Sequence, residues 1–379
     1  MARGAAVLLA LALAACGGGD GEAERAAGAS GGAAAGAPGG DGTRESAAGG
    51  ELVRLAGHSD WVQDGAWAPD GSFVVTVDRD GGAIVSDPAT GATRTSLVGH
   101  TDQIADVAVA PDGASVVTAA DDGARVWDPA SGGALQRLEG HTDWVTSATF
   151  DGTGGRILTT SADGSAIAWE ATTGSAVATL GGHGDIVLGA ALAADGRRAA
   201  TITRDGEVAA WDLATGERIA SLTGHTGGVA TVELSADGAR LLTGGTDGQV
   251  IVWDLSAAAP ITQLAHGDAV VASTWLPDGS ILTAGADGTV VVWSSAGERA
   301  STMAGHDGGV RDVAVLPGAT RAVSAGEDGR LVLWELATGA QIAAVDAGAG
   351  ELLTVHAAPG GGGVLATGYS GASIWTLPG

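Results

Sequence analysis

A glycine-histidine pair returns along this chain at His58, His100, His141, His183, His225 and His306, with Ala265-His266 filling the one gap. The spacings are 42, 41, 42, 42, 41 and 40 residues. Self-similarity at such a period argues against a single layered core, because each unit is one supersecondary element that must cover its neighbours. The unit from Leu222 to Asp254 reads LTGHTGGVATVELSADGARLLTGGTDGQVIVWD. VATVEL is a β-prone run, and SADG turns the chain. RLLTGG and QVIVWD form a hairpin around Thr246-Asp247-Gly248, where glycine accommodates the positive φ of a tight turn. ERIASLTG, from Glu217 to Gly224, adds one further strand per period. A sheet of four such strands is apolar on both faces and is stable only between copies of itself.

The units close at Trp127-Asp128, Trp169-Glu170, Trp211-Asp212, Trp253-Asp254, Trp293-Ser294 and Trp334-Glu335. A period that opens with Gly-His and closes near Trp-Asp marks a four-stranded propeller blade, and from Glu51 to Gly379 the chain resembles the WD40 repeat family. The expected fold is an all-β propeller. Seven histidines would suit seven blades, the commonest number in that family. Three-strand units, however, begin near positions 58, 100, 141, 183, 225, 266, 306 and 347, which makes eight. ELVRLAG, starting at Glu51, has no blade of its own unless it joins the C-terminal unit, and that pairing closes the ring without an unpaired edge.

The resemblance implies a polar core in each blade, linking histidine, a strand Ser or Thr, a turn aspartate and the tryptophan indole. The sets are His141, Thr159, Asp163 and Trp169; His183, Thr201, Asp205 and Trp211; His225, Thr243, Asp247 and Trp253; His266, Thr283, Asp287 and Trp293; and His306, Ser324, Asp328 and Trp334. The first unit has His58, Thr76 and Asp80 but Ser86 in the tryptophan position. In the second, Asp121 and Asp122 compete for the turn role, and the last has Gly348 in the histidine position. His, Ser/Thr and Asp also resemble a hydrolase triad. A catalytic site occurs once, whereas this set recurs in nearly every period, so the expected role is structural. The expectation is a non-enzyme with no cofactor and no metal site.

The first residues, MARGAAVLLALALAACGGG, place one arginine before a short apolar run and end in small residues, the order of an export signal. Leu13-Ala14-Ala15-Cys16 resembles a bacterial lipobox, which implies lipidation of Cys16, the single cysteine. Gly17 to Gly50 is rich in Gly, Ala and Ser without hydrophobic periodicity, as in a flexible tether. The expected organisation is a signal peptide at 1–15, lipidated cysteine and tether at 16–50, and propeller at 51–379. The expected location is the cell envelope. Gly17, in place of the aspartate associated with inner-membrane retention, favours an outer membrane.

Acidic residues number 44 and basic residues 18, all of them arginine, for a net charge of −26. Such a chain is repelled by phosphate backbones and anionic headgroups, so nucleic acid is not an expected partner, and membrane contact is expected through the lipid alone. The remaining class is binding of a protein or peptide by a monomer. By resemblance, the loops after each histidine lie on the top face used for binding. Trp61, Gln103 and Trp144 stand there in corresponding positions, with Arg79 and Arg204 as cationic candidates and Asp64, Asp106 and Asp312 on the same side. Exposed tryptophans are favoured interface anchors. The alternative is an exported propeller enzyme or ligand sensor with a site in the central channel.

Overall fold

The computed structural model describes residues 5–6, 44–47, 50–348 and 350–378. Most of the leader and tether, Cys16 included, lies outside these residues. Eight antiparallel sheets follow one another along the chain, and no helix occurs among the described residues. The innermost strands are Val62–Trp67, Ile104–Val109, Val145–Phe150, Val187–Leu192, Val229–Leu234, Val270–Trp275, Val310–Val315 and Leu352–Ala357. They pack side by side around the axis of an eight-bladed propeller, numbered here from blade 1 in chain order.

Blade 5 illustrates why these residues form these strands. Val229–Leu234 pairs with Arg240–Gly245, which pairs with Gln249–Asp254 and then Ala259–Ala265. The inner three strands are buried on both faces, whereas the outer strand alternates with solvent. Its Leu241, Ile251 and Trp253 share one cluster with Ala200, Ile202 and Ala210 of blade 4. The core therefore lies between blades rather than within one. Fully burying a side chain such as Leu241 or Ile251 contributes about 1.5–3 kcal/mol, and the stabilisation is realised only when the next blade is present. Gly248, at φ 74°, supports the hairpin turn.

The ring closes as the sequence implies. Gly50–Arg54 pairs with Gly371–Thr376, setting Leu52 opposite Trp375 and Val53 opposite Ile374, so the first and last segments share blade 8. Two short additions lie before the expected propeller boundary. Arg44–Ala47 adds a fifth strand to blade 8 by pairing with Gly50–Arg54, and Ala5–Ala6 pairs with the innermost strand of blade 5. The loops holding the histidines and the hairpin turns of the second and third strands share one end of the ring, the top face.

Candidate functional site

Each top-face loop is built on a polar chain running into its blade. In blade 5, His225 bonds Thr243 Oγ1 through Nε2 at 2.8 Å and Asp247 Oδ1 through Nδ1 at 3.1 Å, and Trp253 Nε1 donates to Thr243 Oγ1 at 2.8 Å. Blades 3 and 7 repeat this with His141, Thr159, Asp163 and Trp169, and with His306, Ser324, Asp328 and Trp334. Burial keeps His225 below its ordinary pKa against the opposing pull of Asp247. For Asp247, burial acts upward, but hydrogen bonds led by the Thr226 N–H and His225 outweigh it and hold the carboxyl below the usual range. These histidines are parts of the framework.

Three blades correct the sequence reading. In blade 4, His183 Nδ1 bonds Glu207 Oε2 at 2.8 Å, while Asp205 accepts from Thr203 Oγ1. Glu207 stands on the far side of the hairpin and has the reach to replace the aspartate. In blade 6 the His266 ring is reversed: Nδ1 meets Thr283 Oγ1 at 2.9 Å, Nε2 meets Thr289 Oγ1 at 3.1 Å, and Asp287 is 3.5 Å away. Its histidine-to-threonine spacing is 17 residues rather than the 18 of blade 5, which alters the entry of the ring. In blade 1, His58 bonds Asp78 at 2.6 Å rather than Asp80. Blade 2 uses Asp122, which meets His100 Nδ1, and leaves Asp121 free to face outward.

On the rim, Trp61 is 38% exposed, and the Arg79 guanidinium lies 5.1 Å from its ring centroid. Tyr369 of blade 8 packs against the same ring at 4.2 Å between centroids. Arg204 grips Asp185 through two nitrogens, at 3.1 and 2.8 Å. Between blades 2 and 3 lies an open pocket of about 410 Å3 lined by Gln103, Asp121, Asp143 and Trp144. Trp144 is half-buried there. Among the described residues no group of three or more His, Cys, Asp or Glu is placed to hold a metal ion.

Comparison with known proteins places this arrangement. The family model described as WD domain, G-beta repeat matches residues 49–85, 91–128, 132–170, 216–254, 259–294 and 297–335, which together make up more than half of the chain. The chain belongs to the WD40 repeat family. The unmatched stretches of the propeller hold most of blade 4, with its Glu207 substitution, and the three C-terminal strands of blade 8, which lacks the loop histidine. Among solved structures, the computationally designed Ika8 protein is similar at TM-score 0.77 and 24% identity, over 86% of this chain and 98% of that one. The C-terminal WD40 domain of Sif2 is similar at TM-score 0.75 and 17% identity, over 86% and 99%. At such identities the likeness shows the fold. No curated protein matches the chain.

The WD40 geometry also relocates three residues expected on the binding face. A bulge in the innermost strand precedes Asp64, Asp106 and Asp312 and turns each side chain into the seam with the next blade. There Asp64 accepts the Val107 N–H at 3.3 Å, Asp106 the Ala148 N–H at 3.0 Å and Asp312 the Val355 N–H at 2.9 Å. Asp64 also bonds His356 Nε2 at 2.9 Å. Burial first, and then the charge of Asp64, pushes the Asp106 carboxyl up to about 7. These groups latch blade to blade. Trp61, Gln103, Trp144, Arg79 and Arg204 do stand on the top face. Tyr369 was missed because no repeat mark announces it, although it holds the same hairpin position in blade 8 as Arg79 in blade 1.

Proposed function

We propose that this WD40 propeller is a lipid-anchored, extracytoplasmic, non-enzymatic scaffold that engages a protein or peptide partner through its top-face loops. Its main support is the rim, where Trp61 is 38% exposed beside Tyr369 and Arg79, and where Trp144 borders an open pocket. Aromatic and arginine side chains held on a rigid scaffold are the usual energetic centres of interfaces. The address is supported by sequence alone: the arginine-led apolar leader, the Leu13-Ala14-Ala15-Cys16 motif and the Gly/Ala-rich stretch to Gly50. Six WD40 repeats support the scaffold class.

Two measurements test the two halves of the proposal. Cys16→Ala is expected to abolish incorporation of labelled fatty acid, and equal labelling of wild type and variant would remove the anchor. Trp61→Ala and Trp144→Ala are each expected to weaken capture of a membrane partner, identified by mass spectrometry, by about thirtyfold, corresponding to about 2 kcal/mol. Melting temperatures should remain close to wild type. Variants that melt normally and bind normally would move the working surface elsewhere. The channel reading draws on one observation, the His356–Asp64–Asp106 chain near the axis. It would gain ground if Asp64→Asn removed a ligand response while leaving stability intact.

A further inference from the structure

The propeller repeats its top-face position eight times, so the blades serve as controls for one another. Counting from each loop histidine, Arg79 in blade 1, Ala162 in blade 3 and Arg204 in blade 4 hold the same hairpin position. In each case the backbone N–H bonds the carbonyl of the third residue after the histidine: Arg79 to Trp61, Ala162 to Trp144 and Arg204 to Ile186. The chain thus holds an arginine at this position twice. Arg79 lies over the ring of Trp61, and Arg204 makes a two-nitrogen grip on Asp185. A third guanidinium, that of Arg311, bridges Glu327 and Glu351 at 3.1 Å each across the seam of blades 7 and 8.

Blade 3 carries the acceptors for such a group without supplying the group itself. Its loop reads His141-Thr142-Asp143-Trp144, close to His58-Ser59-Asp60-Trp61 of blade 1, but the hairpin residue is Ala162. The neighbouring turn contributes Asp121, whose backbone N–H bonds Gln103 and whose carboxylate accepts no hydrogen bond among the described residues. Asp121, Asp143, Gln103 and Trp144 line the pocket of about 410 Å3, ample for a planar cation. Desolvation, followed by the charges of Asp102, Asp122 and Asp143, pushes the Asp121 carboxyl up to about 6 although its edge is exposed. An unneutralised acidic wall beside an indole face suits a guanidinium, which stacks on an aromatic ring while donating to carboxylates in plane.

We propose that the pocket between blades 2 and 3 binds an arginine side chain of the partner, with Trp144 as the stacking face, Asp121 and Asp143 as acceptors and Gln103 as a further polar contact. The proposal rests on the top-face reading above and names the chemistry of what docks there. It also explains why an arginine fits Arg79 and Arg204 within the chain but must come from outside at Ala162.

The test uses the full chain labelled with 15N and an end-blocked pentapeptide of one arginine among glycines, whose guanidinium is its one charge. The Trp144 indole N–H resonance, assigned by its disappearance in Trp144→Phe, is expected to move saturably with the arginine peptide. The citrulline peptide should leave it unmoved, and the lysine peptide should bind more weakly. Asp121→Asn is expected to weaken binding about tenfold, while Asp112→Asn, the same charge change in a turn on the opposite face, should not. Ala162→Arg should abolish binding by supplying the guanidinium in cis. Affinity should rise as pH rises through about 6, since the cation favours ionised Asp121. Equal shifts with citrulline, equal effects of Asp121→Asn and Asp112→Asn, or undiminished binding to Ala162→Arg would each overturn the proposal. Loss of partner capture in Trp144→Ala without any response to the arginine peptide would leave the interface standing and remove only this assignment.

Discussion

In blade 5, Trp253 is 1% exposed and donates its indole N–H to Thr243, which His225 and Asp247 hold in line. In blade 8, Trp375 is 0% exposed, yet its Nε1 meets no hydrogen-bond partner among the described residues, and the loop carries no histidine. Ala366 stands in the strand position of Thr243, so the chain offers the indole no hydroxyl there. Both blades keep three buried strands and pack into the ring. The shared feature is apolar burial, so the polar chain adds register and rigidity to a blade that burial already forms. Blade 8 has a different device in its place: the strand Gly50–Arg54, brought from the other end of the chain, fixes its edge.

That contrast breaks first at the edge. Deleting residues 51–56 is expected to remove buried Leu52 and Val53, expose Gly371–Thr376, and shift the protein toward aggregate in size-exclusion chromatography. Deleting residues 22–27 of the tether should leave both elution and melting unchanged. A monomeric 51–56 deletion with the wild-type melting temperature would show that blade 8 stands without its closing strand.

The tryptophans divide packing from hydrogen bonding. Trp253→Ala and Trp375→Ala are each expected to cost about 3–5 kcal/mol in urea unfolding, because both empty a fully buried site. Trp→Phe separates them. Trp253→Phe leaves Thr243 without its indole donor and should cost about 1 kcal/mol more than Trp375→Phe, which removes an N–H without a partner among the described residues. Equal costs would mean that the indole bond in blade 5 contributes nothing net.

Acid sharpens the same comparison. His225 has its pKa lowered by burial from the ordinary 6.5, so the unfolded chain takes up that proton more readily. Its stabilising contribution is present above pH 6.5 and is lost as pH falls below it. Asp247, held below 3.8, adds a further loss as pH falls through that value. His225→Gln is therefore expected to flatten stability against pH below 6.5, as read from melts across a pH series. Blade 8 has Gly348 at this position and no equivalent contribution.

The smallest effect lies in the seams and has the opposite sign. Asp106 is raised from 3.8 to about 7, so the folded state holds its proton longer and loses stability as pH rises through about 7. Asp106→Asn retains an oxygen for the Ala148 N–H and should gain on wild type as pH rises from 5 to 8, as read from melts across the same pH series. No relative gain at pH 8 would mean that burial in the seam does not raise the Asp106 carboxyl.

Much of this molecule is legible because the information is local and repeated. A histidine 18 residues before its threonine or serine, and that hydroxyl residue 10 before its tryptophan, are distances along one hairpin stack, so blades 3, 5 and 7 follow from spacing. Where spacing or residue type varies, the hydrogen bond moves. Two acids two residues apart, Asp205 and Glu207, offer the same histidine two partners, and side-chain reach decides for Glu207. Asp78 takes the place of Asp80 with a side chain of equal length, so there the position along the backbone decides. The aromatic half of the top face, Trp61 and Trp144, was visible because each stands outside the repeat.

The sequence by itself determined the period, the eight blades, their closure by the N-terminal strand and the loops that form the top face. Each depends on strand patterning and turn residues within about forty positions, or on an edge that only one segment can cover. Tertiary structure alone decided which acids face solvent and which face a seam. The bulges before Asp64, Asp106 and Asp312 turn strand side chains that alternation would have sent elsewhere. It alone brought Tyr369 onto Trp61 and His356 onto Asp64, the latter pair 292 residues apart, because ring closure creates neighbours that no local pattern encodes. The pocket between Asp121 and Trp144 is of that kind. It belongs to two blades, and neither blade's sequence contains it.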